Sequence, residues 1–236
     1  MNAPDPLAPP SPPPAEDAWR VSLRTAAILL LFTLVFTGLM AEVHELTSPA
    51  IEATLQEAKR RLIHEVLPAS DFDNDLLADA IELPPLPALG LAEQSRLYRA
   101  RRAGAPVALV LEAATPEGYS GEIRLILAVR ADGHLAGVRV TRHKETPGLG
   151  DYIDPKKDKH KAAPWIRQFD GRHLGDTPLE KWRVKKDGGV FDARAGATIS
   201  ARAVTHATAR ALAWASERAA RLFALPPGSR YEEESP

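Results

Sequence analysis

Seventeen consecutive residues, Thr25 to Ala41 (TAAILLLFTLVFTGLMA), carry no charge and are dense in Leu, Ile, Val and Phe. At 1.5 Å of rise per residue, a helix of that length reaches the lower limit for crossing a hydrocarbon core. Val21 and Leu23 lengthen the run, and Arg24 can extend its charged head toward the interface. A buried core helix would need amphipathic flanks, which are missing. A cleaved signal peptide would want a small residue three before the cut, and before Glu42 that position is Leu39. Residues 21–43 therefore read as a transmembrane helix. Arg20 and Arg24 precede it, while Glu42 and Glu45 follow. The positive-inside rule then predicts that the bulk of the chain lies outside the cytoplasm.

The flanks set the remaining boundaries. Seven of the first fourteen residues are proline, so residues 1–20 are expected to be a disordered cytoplasmic arm. Residues 44–225 are expected to form one extracytoplasmic domain, and 226–236, opening on Pro226-Pro227, a disordered tail. The chain has no cysteine, which excludes thiolate metal sites, iron–sulfur clusters and disulfides together. No two of its seven histidines stand three or four apart, so no helical metal pair is expected. A formal net charge of −1 gives no basic footprint for nucleic acid.

Within the domain, Ile51, Leu55, Ala58 and Leu62 recur at helical spacing, predicting a helix over 48–66 that Pro68 ends. Residues 107–113 are a short apolar run. Ile123, Leu125, Leu127 and Val129 alternate along 121–130; after the turn at Asp132-Gly133, Ala136, Val138 and Val140 alternate along 134–141. This hairpin is expected at the centre of an antiparallel sheet. The charged stretch 154–161 (DPKKDKHK) reads as solvated loop, Trp165, Ile166 and Phe169 as a short packed helix, and Asp187-Gly188-Gly189 as a turn. Residues 199–224 read as a helix with Ala203, Ala207, Ala211 and Trp214 on one stripe. The fold class is thus α+β: one transmembrane helix, then a domain with an antiparallel sheet and packed helices.

The segment Asp192-Ala-Arg-Ala-Gly-Ala-Thr198 lies between a glycine turn and the start of that last helix. Free N–H groups and the helix dipole make such a place receptive to phosphate, and Gly196 and Ala197 leave room for close approach. Taken alone, the pattern is more readily that of an ordinary helix start, with Thr198 as an N-cap. No Gly-x-Ser-x-Gly elbow is present and no local base accompanies Thr198, so a hydrolase is not supported.

The segment also resembles the flavinylation motif Asp-x-x-(Ser/Thr)-Gly-Ala-Thr of FMN-binding domains modified by a dedicated flavin transferase. The resemblance continues through His143-Lys-Glu-Thr-Pro-Gly-Leu-Gly150, Gly118-Tyr-Ser-Gly121, Trp165-Ile166, Lys186-Asp-Gly-Gly189, Leu67-Pro68 and Asp73-Asn74. In their order along the chain these are similar to the G subunit of the Rnf ion-translocating electron transport complex, over about residues 20–225. The C subunit of the sodium-pumping NADH:quinone oxidoreductase is a related alternative, and a cofactor-free membrane-tethered scaffold is another. The resemblance implies covalent FMN on Thr198 through a phosphoester, with Asp192, Gly196, Ala197, Glu145, Thr146, Gly148 and Leu149 as cofactor-binding candidates. It implies an electron-relay subunit of a translocase in the bacterial inner membrane, its domain periplasmic, with no catalysis of its own. Its partners would be the other subunits, the membrane and the transferase. One departure stands out: Ala195 occupies a position where the family has Ser or Thr.

Overall fold

The computed structural model describes residues 15–233. Two units are distinguished, Met1–Leu55 and Gln56–Pro236. Helix α1 covers Ala15–Val66, so the two helical segments expected on either side of residue 45 are one element. The polar stretch between them needs no break, because Thr47 and Ser48 donate their hydroxyls to the carbonyls of Val43 and His44 (2.7 Å each) within the helix. In the first unit Trp19–Ser48 contains an 18-residue stretch of mean hydropathy 2.2 and is long and apolar enough to cross a membrane. Leu29, Leu30, Leu31 and Phe32 are each more than half exposed there. Of the expected arm, residues 1–14 lie outside the described residues, and Ala15–Arg20 are helical.

The second unit is a five-stranded antiparallel meander in sequence order: β1 (Ala80–Leu83), β2 (Ser95–Arg102), β3 (Ala105–Gly118), β4 (Gly121–Arg130) and β5 (Leu135–Arg142). The β4–β5 hairpin forms, but the centre of the sheet is β3, because β1 and β2 add two strands beyond it. Those two strands come from the proline-interrupted region, which shows no period-2 signal. Both faces of the sheet are covered. Leu109, Leu111 and Ala113 of β3 face one layer and Ala108 and Val110 the other, hence the consecutive apolar residues from 107 to 111.

Helix α2 (Thr198–Ala224) packs on the first face, with Ala203, Ala207, Ala211 and Trp214 all buried. Against the second face lie Ile63, Val66 and Leu67 at the end of α1. A Cβ at Gly137 would stand 2.8 Å from the Val66 carbonyl, so glycine permits this approach. Ala136 does not share a face with Val138 as alternation predicts. The register shifts between Ala128 and Val129, and the extra residue turns Ala136 toward the opposite layer. Nor do residues 226–231 form a loose tail. The Tyr231 N–H donates to the Glu82 carbonyl (2.8 Å), and its ring is buried at 5.5 Å from that of Trp214. That strap covers the free edge of β1.

Candidate flavin site

The loop from Asp192 to Ala197 is pinned from its inner side. The Trp165 indole N–H donates to the Asp192 carbonyl (2.6 Å), and the Asp192 N–H donates to Gln168 Oε1 (2.7 Å). The buried Tyr152 hydroxyl accepts the Arg194 N–H (3.2 Å) and donates to the Ala197 carbonyl (3.1 Å). Arg194 stacks 4.7 Å from the Tyr152 ring centroid and pairs with Asp158. Gly196, at φ +82°, then makes the left-handed turn into the helix, a conformation that favours glycine.

Asp158 corrects the reading of 154–161 as wholly solvated, because its side chain is completely buried. Besides Arg194, it accepts the N–H groups of His160 and Trp165, both at 2.8 Å. Burial works against the charged carboxyl, but these donors outweigh it and hold Asp158 below the usual carboxylate range. A carboxyl lowered by folding contributes stability above its unfolded value, lost as pH falls through its folded value. Asp158→Asn should cost about 1.5–3 kcal/mol at neutral pH. The gap from wild type should close below about pH 4. Urea unfolding of the full chain in detergent, followed by tryptophan fluorescence across pH, measures both.

Thr198 is the first residue of α2 rather than its N-cap. Ala197 holds the cap position and provides no side-chain bond, so the opening N–H groups of the helix lack a side-chain acceptor. The Thr198 hydroxyl makes no hydrogen bond among the described residues, and the side chain is half-buried.

Its chain neighbours Ala197 and Ile199 line a cavity of about 300 Å³ together with Tyr119, Glu145, Thr146, Leu149, Gly150, Gly196 and Ser200. That volume is at the lower end for a ligand pocket, suiting a ring system that stays partly exposed. Tyr119 (68% exposed), Leu149 (55%) and Ile199 (43%) form an apolar rim. Below the rim Glu145 is buried. The Ser120 N–H donates to its Oε1 (3.0 Å) and the Ser200 hydroxyl to its Oε2. An apolar rim, a buried polar floor and a helix start with no side-chain acceptor among the described residues are what a flavin with its phosphate at the helix start would need.

Five of the candidates thus converge beside Thr198: Glu145, Thr146, Leu149, Gly196 and Ala197. Three do not line the cavity: Gly148, Asp192 and Thr198 itself, which stands in the chain between lining residues. Gly148 (φ +77°) shapes the loop, its N–H donating to Asp151 Oδ1 (2.9 Å). The Asp192 carboxylate pairs with Lys185 (2.6 Å) and borders a separate open depression of about 610 Å³. Tyr119, Gly150, Ile199 and Ser200 are cavity residues that sequence reasoning does not single out. Tyr119 and Gly150 sit inside recognised motifs, whereas Ile199 and Ser200 fall just beyond the one that ends at Thr198. His143, likewise without a role from sequence, accepts the Glu145 N–H at Nδ1 (3.1 Å). Burial lowers its pKa, as does the neighbouring Lys157.

Chain folding also unites groups that sequence spacing keeps apart. His134, His173 and Asp176 place ligand atoms within 4.8 Å of one another. The two rings are stacked at 4.7 Å, however, so their in-plane lone pairs run side by side instead of converging. His173 Nδ1 already accepts the Gly175 N–H (3.0 Å).

Residues 118–213 match the model of the FMN-binding domain, and residues 20–66 that of the RnfG N-terminal region. The chain is 45% identical over 181 residues to the G subunit of the ion-translocating oxidoreductase complex of Pseudomonas aeruginosa (strain UCBPP-PA14), covering 77% of this chain and 82% of that protein. The protein of the same name from Shewanella baltica (strain OS223) is 40% identical over 204 residues, covering 86% and 94%. That from Yersinia pestis is 41% identical over 179 residues, covering 75% and 82%. With such identity over most of both chains, this protein belongs to the family of G subunits of ion-translocating oxidoreductase complexes.

Proposed function

We propose that this chain is the electron-carrying flavoprotein subunit of such a complex, with FMN joined through its phosphate to Thr198. The observation that carries this reading is the Thr198 hydroxyl, unbonded and accessible at the first residue of α2. Cavity-lining residues stand on both sides of it in the chain. The helix N–H groups and dipole would hold the phosphate. The rim of Tyr119, Leu149 and Ile199 would seat the ring system, with Thr146 and Glu145 as polar partners inside. Bound FMN supplies reversible uptake of electrons, which no side chain here provides. The polypeptide's part is to fix the ring, limit its contact with water and set its potential. Catalysis independent of the complex is not part of this reading.

Attachment by a flavin transferase belongs to this reading, and Ala195, which is exposed, leaves the acceptor oxygen untouched. Full-length chain made with an active transferase and purified in detergent should be heavier than chain made without it, by one FMN less one water. The addition should map to the peptide containing Thr198. Equal masses would favour the cofactor-free scaffold.

The apolar helix is proposed as a single-pass anchor in the inner membrane with the second unit in the periplasm, on the charge bias of Arg20 and Arg24. A C-terminal alkaline phosphatase fusion should be active and a cytoplasm-dependent fluorescent fusion dark. The reverse pattern would place the domain on the cytoplasmic side.

A further inference from the structure

The side chain of Glu145 is 3% exposed, yet none of its partners carries charge. Its Oε1 accepts the Ser120 N–H and its Oε2 the Ser200 hydroxyl. No Lys or Arg pairs with it among the described residues. A buried carboxylate normally has a cation beside it, because desolvation penalises the charge. The surrounding backbone is built around the group. A Cβ at Gly118 would stand 2.9 Å from Oε1, and one at Gly150 would stand 2.8 Å from Oε2. Two glycines, an amide and the hydroxyl of Ser200, two residues along α2 from Thr198, thus keep an acid against the cavity wall.

We propose that Glu145 lowers the reduction potential of a flavin attached at Thr198, by placing negative charge in the cavity wall without a compensating cation. The inference rests on the reading that the cavity holds the ring of that flavin. Above neutral pH, full reduction of a flavin takes up two electrons and one proton, so the reduced ring keeps a negative charge. Each electron adds negative charge to the ring, which the one proton offsets only in part. A fixed carboxylate in a water-poor wall opposes that charge more strongly than it would in bulk water. Both oxygens are already bonded to protein donors, which leaves charge as the main influence of the side chain. Glu145 is accordingly a positioning and tuning residue, acting on the cofactor's field.

Two substitutions predict shifts of opposite sign. Glu145→Gln keeps the shape and removes the charge, so the midpoint potential should move positive. Ser200→Ala keeps the charge and removes a donor that disperses it, so the potential should move negative. The full chain, flavinylated in the cell and purified in detergent, is titrated at pH 8 with dithionite against a reference dye. Intact mass and peptide mapping first establish whether wild type carries its flavin on Thr198. Failure there removes the underlying reading and is distinct from failure of the tuning. With wild type labelled, unchanged potentials, or shifts of the same sign, would overturn the proposal in favour of a purely structural pin. Loss of labelling in both variants would also overturn it, assigning Glu145 and Ser200 to construction of the acceptor site. Opposite shifts with flavin retained would sustain it.

Discussion

Thr198→Val should abolish covalent flavin while leaving the fold almost untouched. A phosphoester needs a side-chain oxygen, and valine matches threonine in shape without one. The structure makes this cleaner than helix-capping logic suggests. Thr198 is the first helical residue, its hydroxyl makes no bond among the described residues, and the cap is Ala197. No capping interaction is lost, and both side chains are β-branched, so stability should change by less than about 0.5 kcal/mol. Intact mass should show the wild-type addition gone completely, with unchanged circular dichroism and thermal unfolding. Serine at the same position keeps an oxygen and should retain part of the labelling. Competing hydroxyls at the cavity are those of Thr146 and Tyr119 and that of Ser200, which is buried and donates to Glu145. Flavin persisting on the valine variant would mean attachment elsewhere, and peptide mapping would identify the residue.

The sequence already contains the local half of this site. The Gly-Ala-Thr turn into α2 and the HKETPGLG loop are each short, and their glycines and proline mark them directly. What holds them together is not local. Tyr152 clamps the loop at Arg194 and Ala197, more than forty residues away. Asp158, inside a run of lysines, looks like one more solvated charge until Arg194 is folded against it. Ser200 acquires meaning only when the loop bearing Glu145 arrives. Side chains whose partners lie far along the chain leave no period or spacing to read.

The same distinction runs through the fold. The helices and the β4–β5 hairpin are legible because amphipathic period and turn residues are properties of neighbouring positions. Strands β1 and β2 are not. β1 is four residues long, and β2 (SRLYRARR) carries four arginines, a composition that reads as surface. Yet Arg99 of β2 is completely buried, its charge balanced by Asp79 and its remaining donors taken by backbone carbonyls more than a hundred residues away. The stretch beyond Pro226 looks like a loose tail for a related reason. Its hold on the sheet is made through backbone bonds to β1, invisible until β1 itself is recognised.

Removing the partner of Arg99 should be the most destabilising single change outside the apolar core. Its guanidinium donates to the carbonyls of Leu222 (3.1 Å) and Leu225 at the end of α2, and pairs with Asp79. The other Asp79 oxygen takes Arg101 Nε (2.8 Å), and Arg101 donates in turn to the Phe223 carbonyl (2.7 Å). Two arginines therefore close the C-terminus of α2, where unpaired carbonyls and the helix dipole favour positive charge. One aspartate balances them. Asp79→Ala leaves a buried guanidinium with carbonyls but no counter-ion, at about 3–5 kcal/mol. In a domain of this size that should lower the unfolding midpoint by on the order of 10 °C. Arg99→Met combined with Asp79→Asn removes the buried charge along with its partner, and should recover much of the loss. Thermal unfolding of wild type, Asp79→Ala and the double variant, as full chains in detergent, decides it. If Asp79→Ala unfolds within a degree or two of wild type, the α2 carbonyls alone suffice for Arg99. If the double variant is no better than Asp79→Ala, the damage comes from lost packing and not from an unpaired charge.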